Sequence, residues 1–60
     1  MNLLSMIERH LAETGLTPSR FGRDALGDPG FVKALRNGRE PRESTVRRVT
    51  THIRARQTAR

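Results

Sequence analysis

Cysteine is absent from this chain. That excludes disulfides, thiolate metal sites and thiol catalysis. With 60 residues the chain is near the lower size at which packing alone sustains a fold, so one thin core and no deep pocket are expected. Tryptophan and tyrosine are also missing and phenylalanine occurs only at Phe21 and Phe31, too few for a platform that stacks unpaired bases. No apolar run approaches the roughly 18 residues of a membrane span. The N-terminal cluster Leu3, Leu4, Met6 and Ile7 is broken by Glu8, Arg9 and His10, unlike a secretion signal. A cytoplasmic location and no membrane partner are expected.

Lysine is nearly absent too, yet the chain is strongly basic. Twelve Lys and Arg residues stand against six Asp and Glu, a net charge of +6, and Lys33 is the only lysine. The first thirty residues carry three cations and four anions; the last thirty carry nine cations and two anions. Positive charge gathered in one half points to a polyanionic partner. His10 and His52, the only histidines, fall in different segments. Without cysteine or clustered carboxylates, no metal site and no cofactor are expected. No nucleophile, base and orienting acid share a motif, so no catalytic residue is assigned.

Four short helices emerge from punctuation and periodicity. Asn2 can cap the first, which carries Leu4, Ile7 and Leu11 at i, i+3 and i+7, widened by Leu3 and Met6, and ends at Thr14 before Gly15. Thr17-Pro18 opens the second, a hydroxyl cap followed by proline at the first helical position, where no N–H partner is needed. It continues through Phe21, Ala25 and Leu26 to a stop at Gly27. Asp28-Pro29 repeats the cap-plus-proline device, predicting a third helix from Asp28 to Asn37 with Phe31, Val32 and Leu35 inward, Lys33 and Arg36 outward, and Gly38 as its left-handed stop. A fourth begins after Pro41, capped by Ser44, with Val46, Val49 and Ile53 on one stripe. The expected fold class is all-α, a compact four-helix bundle over residues 1–54, followed by a frayed basic tail at 55–60.

The break between the second and third helices is so short that a steep crossing is expected, as in a helix-turn-helix whose second helix enters a major groove. From Thr17 to Val46 the chain resembles the lambda-repressor-like, Cro/C1-type helix-turn-helix domains of the XRE family. The matching residues are Thr17-Pro18, Phe21-Gly22, Val32, Leu35, Asn37-Gly38-Arg39-Glu40-Pro41 and Thr45-Val46, without a gap, and Gly15-Leu16 fits upstream.

The resemblance implies a small transcriptional regulator, most simply a repressor, bound to double-stranded DNA and nucleoid-associated when bound. Thr17, Pro18 and Ser19 would present a helix N-terminus to a phosphate, with Arg20 beside them. Lys33 and Arg36 would lie on the recognition helix, together with Gly30. Phe31 is either core or a groove contact with a thymine methyl. Asn37, Gly38 and Arg39 would grip the backbone, and Arg42, Arg47 and Arg48 would flank it. Where the family most often places base readers this chain has Pro29, Gly30 and Ala34, which offer no side-chain hydrogen bond. A weak homodimer through the fourth helix and the C-terminal tail, formed mainly on DNA, is a further expectation. The competing reading is a small basic adaptor that holds an acidic protein partner through the same surface; the C-terminal Arg54, Arg56 and Arg60 read equally as a solvated end or as a phosphate-binding arm.

Overall fold

The computed structural model describes residues 2–58 and folds them into α1 (Leu3–Thr14), α2 (Pro18–Leu26), α3 (Phe31–Arg36) and α4 (Glu43–Thr58), with no strand among the described residues. The first two helices coincide with the segments read from the sequence. Asn2 Oδ1 accepts the Ser5 N–H at 2.8 Å, and the Gly15 N–H closes α1 on the Leu11 carbonyl at 2.8 Å. Thr17 Oγ1 likewise accepts the Arg20 N–H at 3.1 Å while Pro18 occupies the first turn of α2. Such caps satisfy N–H groups that have no partner within the helix.

The third helix is shorter than its predicted range. Asp28, Pro29 and Gly30 form a turn rather than a first helical turn, and α3 begins at Phe31. Asp28 Oδ1 accepts the Gly30 N–H at 3.0 Å, and its carbonyl accepts the Phe31 N–H at 3.2 Å. The carboxylate caps its own turn, the local alternative to helix that aspartate offers. Helical bonding starts with Ala34 N–H donating to the Gly30 carbonyl at 3.0 Å. At the other end the Arg39 N–H returns to the Ala34 carbonyl at 3.0 Å, and Gly38 (φ 96°) is the left-handed stop.

Ser44 does not cap α4. The Val46 N–H donates to the Arg42 carbonyl at 3.0 Å, so Arg42 holds the cap position and Ser44 lies inside the first turn. Glu43 there complements the positive end of the helix dipole. The helix also continues through Ala55 and Arg56 to Thr58, past the tail boundary expected at residue 54; residues 59 and 60 of that tail lie outside the described residues.

All four helices feed one core of Ile7, Leu11, Phe21, Phe31, Val32, Leu35, Val49 and Ile53. Leu3, Leu4, Met6, Leu16, Ala25 and Leu26 pack partly against it, and Val46 is half-buried. α2 packs on α3 and α4, and α1 packs on the same two helices. No helix among the described residues is long and apolar enough to cross a membrane.

One core feature was not anticipated. His10 is buried at 3% exposure, and Phe21 stands between it and His52, with ring centroids 5.4 and 5.7 Å away in edge-to-face geometry. The Nε2 atoms of both histidines are buried without a hydrogen-bond partner. Burial, then the neighbouring His52 and Arg56, push the His10 pKa down, against a smaller opposing pull from Glu13. His10 therefore favours the neutral form, consistent with its apolar surroundings.

Candidate nucleic-acid interface

The relation of α3 to α2 is set by backbone contact at their junction. Gly27, at φ 70°, turns the chain out of α2, and the next N–H, that of Asp28, donates back to the Gly22 carbonyl at 3.1 Å. Gly22 itself is buried. A Cβ there would overlap the Asp28 carbonyl oxygen and reach 3.5 Å from the Phe31 Cβ. Glycine thus lets the turn lie directly on α2 and holds the start of α3 against it.

This placement sorts the side chains of α3. Phe31, Val32 and Leu35 are buried, Ala34 is half-buried and Lys33 is exposed with no ion pair among the described residues. Phe31, one of the expected interface residues, is 4% exposed and belongs to the core; it cannot contact a thymine methyl from there. Arg36 is exposed but engaged. Its Nε donates to Glu8 Oε2 and its Nη2 to Glu8 Oε1, both at 2.7 Å. This two-bond fork ties α3 to α1. Hydrogen bonding to Arg36 holds the Glu8 carboxyl below the usual glutamate range, and the same bond raises Arg36.

The other expected contacts are distributed around this helix. The Thr17 hydroxyl caps α2, Pro18 is half-buried and Ser19 is exposed. Arg20 is exposed and lies 3.5 Å from Asp24. Gly30 is exposed, with its N–H on Asp28, and Asn37 is exposed at the end of α3. Arg39 and Arg42 are exposed in the α3–α4 connection and form no ion pair among the described residues, and Arg48 shares that condition on α4. Arg47 is held by Glu43 at 2.9 Å, one turn earlier. Weak surface pairs of this i, i+4 kind open readily toward a competing anion. Lys33, Asn37 and Arg39 therefore succeed one another along and just beyond α3 as exposed polar groups.

Sequence reasoning missed the Glu8–Arg36 fork and the packing of buried His10 and half-buried His52 against Phe21. The fork joins residues 28 positions apart, and no local pattern announces it. The histidines did carry a signal: His10 lies at i+3 from Ile7 and His52 at i+3 from Val49, each on its helix's apolar stripe. Compared with protein-family models, curated proteins and solved structures, the chain matches none.

Proposed function

We propose that this chain is a small duplex-DNA-binding domain of the lambda-repressor-like helix-turn-helix kind, working as a transcriptional regulator by occupying an operator. The observation that carries the reading is the state of α3: Phe31, Val32 and Leu35 are buried, a left-handed glycine separates it from α2, and Lys33 is exposed on it with no ion pair among the described residues. A major groove about 12 Å wide accepts one helix. Thr17 to Ser19 offer the α2 N-terminus to a phosphate, while Asn37, Arg39 and Arg42 offer donors to the backbone after α3. With Pro29, Gly30 and Ala34 lacking side-chain hydrogen bonds, and Arg36 held by Glu8, direct base reading narrows to Lys33. DNA shape and deformability supply the remaining preference.

The test is a mobility shift with random and selected duplexes across a salt series. Log affinity should fall against log salt by about 0.9 for each phosphate contact. Pro29 and Gly30, exposed in the turn before α3 and without side-chain donors, favour one other reading, an adaptor docking an acidic protein on this face. Failure to bind any duplex at micromolar protein and low salt would support the adaptor and sink the regulator.

A further inference from the structure

The arginines divide by what they hold. Arg9, Arg20, Arg36 and Arg47 each meet a carboxylate. Arg39, Arg42 and Arg48 meet none among the described residues, and all three line one open cleft of about 330 Å³ between the end of α2, the start of α3 and the first turns of α4. Asp28 and Glu40 line the same cleft without pairing with these arginines, and Leu26 and Pro41 add apolar wall. Asp28 is already engaged through Oδ1, which accepts the Gly30 N–H at 3.0 Å.

The three arginines outnumber the two carboxylates of the cleft and are ion-paired with neither among the described residues, so their donors are open to an anion with several acceptor oxygens. Phosphate matches the planar donor fork of arginine, two N–H groups to two oxygens. A cleft of this volume falls at the small end of the ligand pocket range, about 300 to 1,000 Å³, and leaves room beyond the phosphate for the rest of a molecule. The two carboxylates accept hydrogen bonds, so that remainder carries hydroxyl or amino donors.

We propose that the cleft binds a phosphorylated small molecule of the nucleotide or sugar-phosphate class. Arg39, Arg42 and Arg48 take the phosphate, and Asp28 and Glu40 take donor groups on the remainder. Arg39 and Arg42 are shared with the proposed duplex contacts, but Lys33 does not line this cleft, so its substitution separates the two activities.

Adenosine monophosphate serves as the probe, followed by amide chemical shifts of the full chain. Saturable shifts confined to residues 26–31 and 39–48 are expected. Arg48→Ala should weaken binding by about tenfold, the loss of one charge-assisted hydrogen bond; Arg42→Ala gives the same reading should the first variant fail to fold. Inorganic phosphate should bind about tenfold more weakly than the nucleotide, because it leaves the carboxylates without donors. Lys33→Ala should leave the nucleotide titration unchanged, whatever it does to duplex binding. Shifts that spread without saturation over Arg9, Arg20 and Arg54 would overturn the proposal. So would indifference to both arginine substitutions, or equal affinity for phosphate and nucleotide.

Discussion

Gly22 and Asp28 are in backbone contact: the Asp28 N–H donates to the Gly22 carbonyl at 3.1 Å, and the Asp28 carbonyl occupies the space where a Gly22 side chain would begin. The Asp28 carbonyl cannot readily withdraw, because it also accepts the Phe31 N–H at 3.2 Å and so anchors the start of α3. One glycine thereby couples the interior of α2 to the orientation of the helix that carries Lys33.

Gly22→Ala should destabilise the fold by about 1 to 3 kcal/mol, the usual cost of forcing extra volume into a packed site. Helix propensity alone argues the other way, favouring alanine by about 1 kcal/mol. Urea denaturation decides between them: a midpoint equal to or above that of the parent protein would show that the turn can retreat.

The Glu8–Arg36 fork predicts coupled behaviour in a double-mutant cycle. Glu8→Gln and Arg36→Ala should each lower the unfolding midpoint, and the double variant should lose less than the two combined. Because Arg36 holds the Glu8 carboxyl below its ordinary range, this stabilisation is complete above that range and is lost as the pH falls through the lowered value. Concentrated salt should shrink the effect, since both groups are partly exposed. Strict additivity would show that the pair contributes nothing to stability.

The buried His10 predicts acid sensitivity at a milder pH. Its pKa lies below the ordinary histidine value, so on acidification the unfolded chain takes up its proton first. Stability should be highest above the ordinary histidine range and decline as the pH falls through that range toward the lowered value. His10→Gln, which cannot titrate, should flatten that decline. Parallel pH profiles for the two proteins would remove His10 as the cause.

At the proposed interface, Lys33→Ala should reduce affinity for a selected duplex more than for random DNA, whereas Arg39→Ala should weaken both alike. Equal losses in the lysine variant would deny it a reading role. Glu8→Gln has the opposite expectation. It frees Arg36 and removes a negative charge beside α3, so duplex binding should tighten and the salt slope should steepen by about 0.9 for one added phosphate contact.

The beginnings and ends of α1 and α2 were legible residue by residue, because Asn2, Thr17, Pro18 and the following glycines act through bonds within a few positions. The same reasoning misplaced the start of α3. Asp28-Pro29 has the composition of a helix opening, but aspartate can equally cap a two-residue turn, and contact with Gly22 selects the turn. Ser44 failed as a cap for a related reason: several polar residues precede Val46, and local chemistry alone does not rank them. Phe31 had two possible fates by spacing, and packing against the core chose burial.

Short-range chemistry thus determined the four-helix, strand-free character of the described residues, the apolar stripes and the excess of arginine, since caps, periodicity and charge are properties of neighbouring residues. Tertiary structure alone decided which cations are available. Arg36 is withdrawn by a carboxylate on another helix, while Arg39, Arg42 and Arg48 meet around one cleft and, among the described residues, pair with neither of its carboxylates. Those outcomes depend on which helix faces come together, and burial of the shared core sets that arrangement through contacts between residues far apart in the chain.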